Sequence, residues 1–198
     1  MGYPSRDEAW ALLTEYTQSE SLRKHALAVE AAMRAYARRF QEDEEAWGVV
    51  GLLHDFDYER HPTREEHPLK GAEILRAKGF PEEMIRTILS HASYTGVPRD
   101  SRMAQTLFAV DELSGFVTAV ALVRPSKRVA DVKPKSVKKK MKDKAFARAV
   151  DRDEIREGAA QLGIDFDEHV AFVVAAMAEV ASELGLAGEE ASAGGATS

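Results

Sequence analysis

The 198-residue chain contains no cysteine. Disulfides, thiolate metal sites and cysteine nucleophiles are therefore excluded, and His, Asp and Glu remain as candidate metal ligands. Aromatic residues make up only 8% of the chain, yet hydrophobic residues reach 44%, and this length is enough for one domain with a real core. No stretch approaches the ~18 apolar residues of a membrane span. Residues 1–10 carry charge from Arg6 onward and no apolar run of a secretory leader. The expectation is a cytoplasmic protein without a membrane partner. Also missing are an internal repeat, a GxGxxG or Walker motif and strand-like alternation, so the predicted fold class is all-α.

The formal net charge is −6, but from Arg124 to Arg148 eleven Lys or Arg face only Asp131 and Asp143, a local balance of +9 that leaves −15 for the rest. Such asymmetry points to an anionic ligand at one place and argues against general affinity for nucleic acid.

About eight or nine helices are predicted. Ser5 to Glu8 fits a capping box before Trp10, Leu13 and Tyr16. Ser19 caps a second helix in which Leu22, Ala26, Val29, Met33, Tyr36 and Phe40 form an apolar row that also turns His25 inward. A third helix runs from Glu44 to His54, with Gly51 allowing close approach of a neighbour. The segment 56–68, with Pro62 and Pro68, is expected to be a mobile loop. Leu69 to Lys78 is helical and stops at Gly79, and Pro81 opens the next helix, which leads to His91. Asp100 or Ser101 caps a long helix through Val123, with Asp111 on or beside its apolar face. From Pro134 the four-residue spacing of Val137, Met141 and Ala145 makes the lysine-rich stretch an amphipathic helix. Asp153 to Leu162 and Asp165 to Leu184 close a single domain of residues 1–185, with His169 expected in solvent. Residues 186–198 are small and polar and are expected to be a disordered tail.

The run Val49-Val50-Gly51-Leu52-Leu53 ends in the adjacent pair His54-Asp55. A buried run tolerates such groups only if something satisfies them, because an unpaired buried charge is costly. His25 alone could be a core histidine bonded to backbone, and Asp111 alone a salt-bridge partner. Taken together, His25, His54, His67 and His91 with Asp55 and Asp111 exceed what one metal needs. They suit two divalent ions roughly 3.5–4 Å apart with Asp55 as the bridge. His61, also before a proline, is the alternative to His67.

The order His25, then His54-Asp55, then Asp111 resembles the HD superfamily of metal-dependent phosphohydrolases, an all-α family. The stretch His67-Pro68-Leu69-Lys70-Gly71-Ala72-Glu73-Ile74-Leu75 and His91 are similar to the extra histidines of its binuclear members. Asp111-Glu112-Leu113-Ser114-Gly115 with the following lysines is similar to a group of short bacterial HD hydrolases. Many binuclear members carry Lys three residues after the Asp of the pair, where this chain has Tyr58. Gly2-Tyr3-Pro4 stands at the wrong end to be the signature of a cyclic-dinucleotide branch.

The resemblance implies His25, His54, Asp55 and Asp111 at one ion and His67, His91 and bridging Asp55 at the other. The ions would be Fe, Mn or Zn, or Mg at a weaker site. Catalysis would fall to His54, Asp55 and Asp111, a metal-activated hydroxide cleaving a phosphate ester or anhydride of a nucleotide-like small molecule. The first turn of the basic helix, with Lys133, Lys135, Ser136 and Lys138, is the expected grip on the phosphate. Two other functions fit the same residues: a di-iron oxygenase of this fold, and a non-catalytic module docking its basic helix on nucleic acid.

Overall fold

The computed structural model describes residues 2–188. Among the described residues there are ten helices and no strand: α1 (Arg6–Tyr16), α2 (Glu20–Phe40), α3 (Glu44–Leu53), α4 (Leu69–Ala77), α5 (Glu82–His91), α6 (Arg102–Leu122), α7 (Pro134–Met141), α8 (Arg152–Gln161), α9 (Phe166–Glu179) and α10 (Ala181–Leu184). The all-α expectation holds. Side-chain caps start most of the long helices. Ser5 and Glu8 form the capping box of α1, and Ser19, Asp43, Ser101, Asp151 and Asp165 accept first-turn N–H groups of α2, α3, α6, α8 and α9.

The two longest helices, α2 and α6 with 21 residues each, run through the centre. α3 lies against α2 at Gly51, where a Cβ would stand 3.0 Å from the Glu30 Cα, so a side chain there would push the helices apart. Val29, Met33 and Tyr36 of α2, Val50 and Leu53 of α3, and Leu107, Val110, Leu113 and Val117 of α6 are all fully buried. Each such side chain contributes about 1.5–3 kcal/mol. By length and composition α6 alone among the described residues could cross a bilayer, yet most of that stretch is buried inside the protein. Glu30 is buried between Arg6 and Arg34, 2.7 and 2.9 Å away, and so ties α1 to α2.

Three expectations need correction. The helix expected over 165–184 breaks at Val180, whose φ/ψ of −114°/21° is not helical. That turn lets Leu184 and Leu186 pack into the core, where the Leu186 carbonyl accepts the Val129 N–H at 2.9 Å. The tail therefore does not begin at 186, and the rest of that expectation, 189–198, lies outside the described residues. His169, expected in solvent, is fully buried with Val170, Val173 and Met177 on the inward face of α9. Its Nδ1 accepts the Tyr36 hydroxyl at 2.6 Å and its Nε2–H donates to the Ala109 carbonyl at 3.0 Å.

The first half of the loop between α3 and α4 is anchored rather than free. Phe56 and Asp57 are fully buried, the Thr17 hydroxyl donates to the Phe56 carbonyl at 2.9 Å, and Glu59 accepts the N–H groups of Gln18 and Ser19 at 2.6 and 3.1 Å. This anchoring fixes the backbone that follows His54 and Asp55.

Candidate metal centre

Five segments converge on one point. His25 comes from α2, His54 stands at the C-cap of α3 with Asp55 beside it, His67 lies just before α4, His91 is the last residue of α5, and Asp111 sits midway along α6. The Asp55 carboxylate is at their centre, one oxygen facing each way. Oδ1 lies 3.1 Å from His67 Nε2 and 3.3 Å from His91 Nε2, while Oδ2 lies 3.5 Å from His54 Nε2. Asp111 Oδ1 faces His25 Nε2 at 3.0 Å and His54 Nε2 at 3.3 Å. Two groups have the spacing of metal ligands, His25 with His54 and Asp55, and Asp55 with His67 and His91.

The outer nitrogen of three imidazoles is committed. His54 Nδ1 faces the Gly51 carbonyl at 2.7 Å and His91 Nδ1 the Ile88 carbonyl at 2.5 Å. A carbonyl only accepts, so both Nδ1 atoms carry hydrogen and the neutral rings turn an Nε2 lone pair inward. His67 Nδ1 is 2.9 Å from Asp57 Oδ1, and the other oxygen of Asp57 takes the Gly71 N–H of α4 at 2.8 Å. Asp57 thus does two jobs from a fully buried position. It orients His67, and it supplies the first turn of α4 with the acceptor that Pro68 at the N-cap does not. Gly71 permits this, since a Cβ there would meet the Asp57 carboxylate at 2.8 Å.

The electrostatics point the same way. Burial pushes Asp55 and Asp111 up, but the surrounding imidazoles, His54 first, outweigh it and hold both carboxyls well below the usual range. Burial in turn lowers His54, His67 and His91, yet their carboxylate neighbours raise all three, His67 to about 10. This cluster draws positive charge to its centre. A divalent ion held there would supply that charge while leaving the imidazole nitrogens deprotonated. The fit is borne out by one atom, His54 Nε2, which is fully buried without a hydrogen-bond partner and aimed at the two aspartates. A native interior rarely leaves such an atom unsatisfied, and a bond to a metal ion would satisfy it.

The cluster lines a pocket of about 410 Å³. Several wall residues were not picked out by sequence reasoning. Among the described residues Arg64 is the one Lys or Arg on the wall, its guanidinium 5.2 Å from the centre of the Tyr94 ring. Tyr58, noted only for replacing a lysine, stands edge-on to His67 with ring centroids 5.2 Å apart. The lining also includes three carboxylates, Glu112, Asp151 and Glu154. Burial, then the charge of Asp111, pushes the Glu112 carboxyl up to about 7. The signal for Asp57 was its place two residues beyond Asp55, followed by a glycine four residues after His67.

Other expected site residues stand elsewhere. Lys133, Lys135, Ser136 and Lys138 do not line this pocket. Val137 and Met141 anchor α7 inward, which leaves Lys133, Lys135 and Lys138 exposed. Lys138 pairs with Asp167 at 2.7 Å beside a separate cavity. His61 lies 3.7 Å from Glu66 and belongs to neither ligand group, so His67 is the histidine delivered by this loop.

An all-helical frame gathers four histidines around two aspartates in groups that could hold a metal ion. Residues 22–115 match the family model of the HD domain. Proteins of this family are generally metal-dependent phosphohydrolases and bind divalent metals. All the residues expected as ligands, from His25 to Asp111, fall inside the matched stretch, whereas α7 to α10 lie beyond it. No curated protein and no solved structure matches the chain.

Proposed function

We propose that the chain is a metal-dependent phosphohydrolase that cleaves a phosphate ester or anhydride of a nucleotide-like small molecule. The observation that carries this reading is the division of one carboxylate between two ligand sets, Asp55 Oδ2 toward His54 and Oδ1 toward His67 and His91. His25, His54, Asp55 and Asp111 would hold one ion, and His67, His91 and Asp55 the other. Nitrogen and oxygen donors without thiolate favour Fe, Mn or Zn, with Mg at a weaker site. Such ions, when bound, supply Lewis acidity at a phosphoryl oxygen and a water of lowered pKa.

The rest of the work falls to the chain itself. Arg64, a cation on the wall, would take a phosphate oxygen, and a guanidinium can do this with two N–H groups at once. Tyr58 and Tyr94, 41% and 44% exposed at the same wall, offer rings against which a base can stack. Glu112, Asp151 and Glu154 face the organic part of the substrate and favour groups that donate hydrogen bonds, such as sugar hydroxyls. Asp57 holds the ring of His67 and keeps its proton on Nδ1.

The test is a screen of phosphorylated metabolites on protein loaded with Mn, Fe or Zn, with metal content measured and O₂ uptake recorded in the same samples. Phosphate release that depends on the metal is the expected result. Oxygen uptake with no phosphate release would overturn the reading in favour of an oxygenase.

A further inference from the structure

A second cavity, of about 570 Å³, adjoins the metal pocket, and His25 and Gly115 belong to the walls of both. Gly115 follows Asp111 by one turn of α6. A Cβ there would meet only the His25 imidazole, at 3.9 Å, so the helix backbone forms a low sill between the two spaces. Beyond the sill the walls include Thr118, Leu122, Leu184 and Leu186. Leu184 and Leu186 are buried, whereas Leu122 is 53% exposed.

We infer that the substrate phosphate carries an apolar or aromatic arm that passes over Gly115 into this second cavity. The inference rests on the phosphohydrolase reading for the position of the phosphate. Two features decide the chemistry of the arm. Leu122, beside the buried Leu184 and Leu186, offers exposed apolar surface that gains from cover. The charges on the wall, Lys24 and Glu20, are paired with each other at 2.5 Å, so among the described residues no free cation lines this cavity for a second phosphate. The metal pocket itself is lined by the carboxylates Glu112, Asp151 and Glu154 beside the Tyr58 and Tyr94 rings, and the Gly115 side adds the leucine-lined room for an apolar arm.

The experiment measures binding of methyl-, butyl- and hexylphosphonate to the metal-loaded protein by calorimetry, with methylenediphosphonate as the doubly charged comparison. In the wild type, hexylphosphonate should bind about 10-fold or more tighter than methylphosphonate, because each buried methylene contributes ~0.8 kcal/mol. In Gly115→Leu the ratio of the two affinities should fall toward one. Leu122→Glu, which acts at the far end of the cavity, should also weaken hexylphosphonate and leave metal content intact.

Equal affinities along the series in the wild type, or an unchanged ratio in both variants, would overturn the inference. Tightest binding of methylenediphosphonate, weakened by Gly115→Leu, would overturn it in favour of a phosphoanhydride arm. A loss of self-association in Leu122→Glu would assign the cavity to a second copy of the chain instead. Failure of methylphosphonate itself to bind the metal-loaded protein would strike at the phosphohydrolase reading, and the inference would fall with it.

Discussion

His54 and His169 are both fully buried histidines on helical frames, and they are opposites. His169 has a partner for each nitrogen, Tyr36 on Nδ1 and the Ala109 carbonyl on Nε2, and burial lowers its pKa. His54 has a partner for Nδ1 only. Its Nε2 is left facing Asp55 and Asp111, and despite burial its pKa is raised. The pair teaches how to separate a structural imidazole from a ligand. Burial does not distinguish them. A committed outer nitrogen with an inner one turned toward carboxylates does.

The sharpest way to break this contrast is to remove its centre. Asp55→Ala takes one ligand from each half of the cluster at once, and metal-dependent turnover should fall at least ~10³-fold, as expected when the groups that place the reacting water are lost. Circular dichroism should show the helices retained, since Asp55 packs against site residues rather than the core. Near wild-type turnover in that variant would refute its central place.

Next in size is Asp57→Asn. The amide keeps the volume but can present an N–H where His67 Nδ1–H needs an acceptor, so the ring loses its fixed tautomer. Metal affinity should drop about 10–100-fold, the usual cost of losing such an orienting partner. Elemental analysis across a chelator series would read it. Unchanged affinity would show that His67 is held by packing against Tyr58 alone.

Much of this arrangement was legible in the sequence because helical periodicity is strong. The inward placement of His25, the end of α3 at His54 and the position of Asp111 all follow from apolar residues three and four apart. Asp57 and Arg64 were not legible in that way. They lie in the segment between α3 and α4, which has no period, and their roles depend on what comes near from α4 and from Tyr94. His169 was misread because its neighbours Phe166, Asp167 and Glu168 are mixed in polarity, and the polarity of a helix start says little about which way one residue points. The lysines of α7 looked functional because they were many. Charge counted along a chain carries no direction, and the packing of Val137 and Met141 sends these side chains to solvent and to Asp167.

That reassignment gives a smaller effect. Arg64→Ala should raise KM for a phosphorylated substrate about 10-fold, the equivalent of one charge-assisted hydrogen bond of ~1.4 kcal/mol, with metal content unchanged. Lys135→Gln with Lys138→Gln should leave KM as it was. The reverse pattern would return the phosphate grip to α7.

The smallest effect concerns His169, and its sign tests the contrast from the other side. Because burial lowers its pKa in the folded protein, the unfolded chain takes up a proton that the folded chain refuses once the pH falls below the ordinary histidine value of ~6.5. Its presence therefore costs stability as the pH drops through that value and costs none well above it. In His169→Gln the side chain no longer titrates, while its amide retains the means to donate to Ala109 and accept from Tyr36. The loss of thermal stability between pH 7 and pH 5 should then be smaller in this variant than in the wild type. Bound metal, measured on the same samples at pH 7, should be equal in the two. An identical pH dependence would mean that His169 does not resist protonation, and a loss of metal would mean that this imidazole, for all its satisfied bonds, belongs to the centre after all.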